Sequence, residues 1–164
     1  MIITKETDYA LRILRVLLDG EKHSVAEMSE TELIPNQFAY QILRKLSAGN
    51  LVRVRRGALG GCELSGDLDA TSLYDLMEVM GERGILCTCM EPGYVCRWQD
   101  EHGRCAIHCQ MAVLQQKQDE AFRAVSLRRL LTGGSDPQDT ESVQNVLPAG
   151  AQPEAASPGK RTGG

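Results

Sequence analysis

Aromatic side chains are scarce in this 164-residue chain, with two Phe, one Trp and four Tyr. A core built almost without them is mainly aliphatic, which suits helices. No apolar run approaches the ~18 residues that a membrane span needs. The opening segment MIITKETDYALR carries Lys5, Glu6, Asp8 and Arg12 and so lacks the apolar centre of a signal peptide. A membrane protein, a secreted precursor and a wholly disordered chain are set aside, and a small cytoplasmic protein is expected. No C-x-x-C pair stands near a β-α-β pattern, and no nucleophile–base set is visible. The chain therefore does not read as an enzyme, and no small-molecule substrate is expected.

Acidic residues are missing from one stretch. Residues 33–62 hold Arg44, Lys45, Arg53, Arg55 and Arg56 and no Asp or Glu. The formal net charge of the whole chain is −4. It divides unevenly, at +2 over residues 1–62, −4 over 63–132 and −2 over 133–164. Screening makes distant charges count little, so a local basic face can meet phosphate on an acidic protein.

Helical spacing is plain in the first half. Thr4 is placed to cap a helix with Ala10, Ile13, Leu14, Leu17 and Leu18 on one stripe. Ser24-Val-Ala-Glu27 has the form of a capping box opening a short helix, with Val25 and Met28 inward. Pro35 suits the first turn of a third helix that buries Ala39, Ile42, Leu43 and Leu46 and ends near Gly49-Asn50. Residues 51–55 alternate as a strand, Gly57 to Gly61 make a turn, and residues 62–64 return. This is the element order of a winged helix-turn-helix, and the acid-free window falls on its third helix and hairpin, the parts that meet DNA.

Further on, Thr71 or Ser72 is placed to cap a helix carrying Leu73, Leu76, Met77 and Met80. Residues 81–104 lack helical periodicity and read as a long loop. A long helix follows from about Arg104 to Val125. Its apolar positions are Ile107, Met111, Leu114, Ala121, Phe122 and Val125, with Gln118 filling a gap. That seam is assigned to a homodimer, because two reading heads match two half-sites. Residues 133–164, with six Gly, four Pro and no aromatic, read as a disordered tail. The expected organisation is a DNA-binding domain at 1–66, then a linker helix, cysteine-rich loop and dimerisation helix at 67–132, then the tail at 133–164. The fold class is mainly α with a small β-hairpin wing.

Five of the six cysteines lie in residues 87–109: Cys87, Cys89, Cys96, Cys105 and Cys109, with His102 and His108 among them. A reducing compartment disfavours structural disulfides. Zinc sites prefer two ligand pairs at short spacing, which Cys105 with His108 or Cys109 provides only once. Iron–sulfur clusters accept looser spacing. Iron–sulfur ligation, zinc and thiol redox chemistry all stay open on the residues alone.

Three segments and this loop together resemble the Rrf-two (Rrf2) family of bacterial transcription regulators, of the IscR/NsrR/RirA type. The segments are Thr4-Lys5-x-Thr7-Asp8-Tyr9-Ala10-Leu11-Arg12, the helix from Phe38 to Leu46, and the wing from Leu51 to Gly61. The likeness covers about residues 1–132. Cys62, Asn50, the eight-residue gap before Cys105, and the extra Cys87 and Cys109 depart from the family's pattern.

The resemblance implies a DNA-binding regulator, expected as a repressor, that holds a double-stranded operator. Asn36, Gln37, Tyr40, Gln41 and Arg44 would face the major groove. Arg56 would reach the minor groove, and Lys45, Arg53 and Arg55 would touch phosphates. An iron–sulfur cluster (2Fe–2S or 4Fe–4S) would sit on Cys89, Cys96 and Cys105. Its fourth ligand would be His108, or Asp8 from the other subunit; Cys87 and Cys109 are further candidates. Gain or loss of the cluster would shift the two reading heads between binding and non-binding placements. Iron supply, cluster status, nitric oxide and oxidative stress are the signals this implies. The alternative is the same regulator without iron, switched by zinc or reactive thiols.

Overall fold

The computed structural model describes residues 3–55, 57, 60–82 and 84–133. Arg56 and residues 134–164, expected as a wing-tip contact and most of the tail, lie outside them. Helix α1 (Lys5–Val16) opens on Thr4, whose hydroxyl accepts the Glu6 N–H. A 3₁₀ turn, Leu17–Asp19, continues it. Helix α2 (Val25–Thr31) opens on Ser24 and Glu27, with both bonds of the capping box present. Helix α3 (Asn36–Ala48) follows. Pro35 caps it from outside rather than entering its first turn, and its carbonyl accepts from the Phe38 and Ala39 N–H groups. The helix ends at Gly49, and Asn50 takes the left-handed conformation at φ 59°, which few residues other than Gly tolerate.

Strands β1 (Val52–Arg55) and β2 (Gly61–Leu64) pair antiparallel, with Arg53 opposite Glu63 and Val54 opposite Cys62. The hairpin is fastened to the body through Cys62. Its N–H donates to the His23 carbonyl at 2.8 Å, and the His23 N–H donates back to the Cys62 carbonyl at 3.0 Å. Cys62 is buried, as a small core residue would be, and burial pushes its thiol above the ordinary range.

Helix α4 (Leu73–Met80) is capped by Ser72, again with a capping box, through Asp75. It lies close against the end of α3. A Cβ at Gly49 would stand 2.7 Å from both methyl carbons of Val79. The region expected as an unbroken loop contains a 3₁₀ turn, Thr88–Met90, and helix α5 (Arg97–His102). A six-residue helix is too short for an apolar stripe to register, so periodicity missed it. The long helix α6 runs over Ala106–Arg123.

Helix α7 (Leu127–Thr132), capped by Ser126, was not foreseen. Its Leu127 is fully buried, and the Leu127 and Arg128 N–H groups bond to the Thr71 and Leu68 carbonyls. The core therefore runs on past residue 66: Leu68, Leu76, Met80 and Leu127 pack in one cluster with Ile13, Leu14, Leu17, Ile42 and Leu46. Among the described residues no helix is long and apolar enough to cross a membrane.

Candidate nucleic-acid interface and cysteine loop

Helix α3 divides into two faces. Ala39, Ile42, Leu43 and Leu46 are buried, as their spacing requires. Asn36, Gln37, Tyr40, Gln41 and Arg44 are exposed and fall on one stripe. Tyr40 is 63% exposed. Among the described residues, none of these five side chains has a hydrogen bond or an ion pair. An open groove of about 780 Å³ separates the stripe from the hairpin, lined by Tyr40, Arg44, Val54, Arg55 and Gly57 among others. The structure thus brings Tyr40 and Arg44 to the same groove as the wing.

Among the described residues, the other basic side chains expected at DNA are already engaged. Arg53 and Arg55 lie 3.4 Å and 3.3 Å from one oxygen of Glu63, and Lys22 lies 4.0 Å from its other oxygen. Glu63 is the first residue past the acid-free window, and strand register sets it opposite Arg53. Lys45, expected at phosphates, turns inward: its ammonium bonds to the Glu6 carboxylate and donates to the Met80 carbonyl at 2.9 Å. Next to it, the Thr4 hydroxyl and N–H donate to the carboxylate of Glu82, two residues past α4. The ends of α1, α3 and α4 therefore converge where the cysteine segment begins.

That segment is held at its start by two glutamines of α6. Gln115 accepts the Leu86 N–H at 2.8 Å and donates to the Gly84 carbonyl at 3.1 Å; Gln118 donates to the same carbonyl at 2.9 Å. Gln118 had read as a gap in an apolar seam. A polar pair at i, i+3 beside a glycine-rich segment was the signal that its amides serve backbone groups.

Cys87 and Cys89 come together, with sulfurs 3.2 Å apart. The Cys89 thiol is pushed above its ordinary range first by the hydrogen bond with Cys87, then by burial, then by the charges of Cys87, Cys96 and Cys105. Cys105 caps α6 and accepts the His108 N–H. His108 Nδ1, one turn further on, is buried and has no hydrogen-bond partner among the described residues. The Arg104 guanidinium donates to the Cys109 sulfur at 3.2 Å. His102 stacks on Trp98 with ring centroids 4.8 Å apart.

Among the described residues, no three or more His, Cys, Asp or Glu side chains are gathered closely enough to hold a metal ion. In kind, the donors fit an iron–sulfur cluster: the charges of Cys96 and Cys105 both reach Cys89, and among the described residues one imidazole nitrogen of His108 has no hydrogen-bond partner. Asp8 stands apart from them in the same chain. It pairs with Arg12 at 3.0 Å and, with Leu130 and Leu131, lines a cavity of about 430 Å³ that no cysteine lines.

The family model for Rrf2, an iron-dependent transcriptional regulator, matches residues 3–133. The chain belongs to the Rrf2 family. A protein of Aquifex aeolicus (strain VF5), named as an HTH-type transcriptional regulator, is 23% identical over 133 residues, which are 80% of this chain and 92% of that one. The fold matches T. potens IscR at TM-score 0.58 and 15% identity, covering 83% of this chain and 90% of that one. It also matches CymR, the global cysteine regulator of B. subtilis, at TM-score 0.57 and 20% identity, covering 82% and 98%. The Rrf2 chain is thus a winged-helix transcriptional regulator and not an enzyme, as its sequence led us to expect.

Proposed function

We propose that this Rrf2 protein is a homodimeric repressor whose hold on a double-stranded operator is set by an iron–sulfur cluster. The observation that carries the DNA reading is the stripe of five exposed polar side chains on α3 that have no partner among the described residues. Asn36, Gln37 and Gln41 have the amides that read adenine, Arg44 has the fork that reads guanine, and Tyr40 adds a hydroxyl. Arg53 and Arg55 reach phosphates from the wing, and Arg56 enters the minor groove. Residues 1–66 form the reading head. The half-turned apolar residues of α6, among them Ile107 at 74% exposure, support its role in pairing two copies.

Cys89, Cys96 and Cys105 would hold the cluster, with His108 as fourth ligand or Asp8 reaching across from the second copy. When bound, the cluster supplies a thiolate-held centre sensitive to iron supply, nitric oxide and oxidants. The chain's own residues do the rest. Gln115 and Gln118 fix the start of the cysteine segment on α6, and Thr4 and Lys45 tie the preceding end of α4 to α1 and α3. A change in how the segment sits therefore reaches the reading helix through few, named contacts.

The test is a visible absorption spectrum of protein purified without oxygen, with iron, sulfide and zinc counted per chain, followed by a shift assay at fixed salt. A coloured protein with equal iron and sulfide, whose operator affinity changes on losing them, is the expected result. A colourless protein that holds zinc, or no metal after reconstitution, would overturn the cluster and leave zinc or thiols as the switch.

A further inference from the structure

We propose that Cys87 and Cys89 are a peroxide-sensitive dithiol that closes to a disulfide within the loop. Among the described residues, theirs is the single sulfur–sulfur contact, at 3.2 Å. The 3₁₀ turn places it. The Met90 N–H donates to the Cys87 carbonyl at 3.0 Å, which sets the two side chains on one side with Thr88 turned out to solvent. The position before the pair is pinned by the bond from the Leu86 N–H to Gln115. Cys87 and Cys89 are half-buried, while Thr88, Glu91, Pro92 and Gly93 are exposed, so the pair lies in a stretch open to solvent and to a small oxidant.

The chemistry balances with one peroxide. One sulfur gives up its proton and attacks the peroxide as the thiolate; an S–O bond forms, the O–O bond breaks, and hydroxide leaves and takes up that proton as water, giving a sulfenic acid. The neighbouring thiol attacks that sulfur; the S–S bond forms, the S–O bond breaks, and hydroxide leaves with the thiol proton as a second water. Two thiols have lost two electrons and two protons, and the peroxide has become two waters. Resting on the cluster reading above, the same bond withdraws Cys89 from the ligand set. The cluster and the disulfide then exclude each other, and Cys87 is what turns an oxidative loss of the cluster into a reversible state.

The experiment begins with metal-free full-length protein, so it stands whether or not a cluster is ever found. The protein is treated with one equivalent of hydrogen peroxide, alkylated and digested without reduction. The tryptic peptide 84–97 is expected to have lost two hydrogens, with fragmentation placing the link at Cys87–Cys89 and the label on Cys96. Cys96→Ser should leave the link intact, and Cys87→Ser should abolish it and leave Cys89 as the sulfenic acid, which a second equivalent of peroxide carries on to the sulfinic acid. Unchanged circular dichroism in each variant keeps the comparison sound. A link from Cys89 to Cys96 or Cys105, no link in the wild type, or unchanged thiol loss in Cys87→Ser would overturn the proposal. In reconstituted protein the link should appear only as visible absorbance falls. Its appearance at full absorbance would overturn the exclusion alone.

Discussion

The Lys45 ammonium donates to the Met80 carbonyl at 2.9 Å and bonds to Glu6, so α3 is tied to the last residue of α4 and to the first turn of α1. A lysine held this way has few donors left for phosphate. Replacing it with an apolar chain of similar length separates the two roles. Lys45→Met should lower stability by about 1–2 kcal/mol, because a carboxylate and a carbonyl lose their shared donor. The salt dependence of DNA binding should not change. A slope shallower by about one would mean that Lys45 meets a phosphate.

Arg44 differs from Arg53 in what it has to lose. Its guanidinium is unpartnered among the described residues, whereas Arg53 shares Glu63. Arg44→Ala should cost about 1–3 kcal/mol on the operator and relax the preference at one base pair. Arg53→Ala should weaken all sequences evenly and reduce the salt slope by about one. Binding to a panel of single-base operator variants at two salt concentrations checks both. An even loss for Arg44→Ala would remove it from base reading.

Leu127 carries α7 into the core. Leu127→Ala should cost about 2–5 kcal/mol in urea unfolding, the range for deleting a fully buried leucine. Leu130→Ala, on the same helix but 41% exposed, should cost well under half as much. Equal losses would mean that both leucines are covered in solution.

His23 joins two acids beside the wing. Its Nε2 lies 2.8 Å from Asp19 and its Nδ1 lies 3.5 Å from Glu27, and its backbone pairs with Cys62. The hydrogen bond to Asp19 raises the imidazole above its ordinary value of 6.5, with the charges of Asp19 and Glu27 adding to it against burial. A raised folded value stabilises the protein below the unfolded value, and that stability is lost as pH rises through the folded one. The melting temperature should therefore drop as pH rises above 6.5, and the drop should vanish in His23→Gln. Parallel curves for the two proteins would exclude His23 as the cause.

The capped helices and the hairpin were legible because each is a local device. Ser24 with Glu27, and the alternation from Leu51 to Arg55, need no distant partner. Cys62 could be read as a core residue on size alone. What escaped the sequence was settled by distant neighbours. Glu63 matters because register sets it opposite Arg53, and Lys45 because α4 ends beside it. Gln118 looked like a flaw in an apolar seam until a carbonyl 34 residues away gave it a partner. Helix α7 was too short for periodicity, yet its Ser126 cap ahead of three leucines was there to be seen.

Gln115 also decides how much disorder remains in the cysteine segment. The segment leaves Leu86, which is bonded to Gln115, and returns at Cys105, which opens the same helix. Ten residues of α helix separate those two points, about 15 Å. Both ends of the segment thus sit on one rod before anything binds within it. The entropy of bringing them together, which a free chain would surrender on ligand capture, is already gone. The cluster proposed above would thereby be spared the refolding of its own cradle, and Gln115→Ala should weaken its capture without touching a ligand.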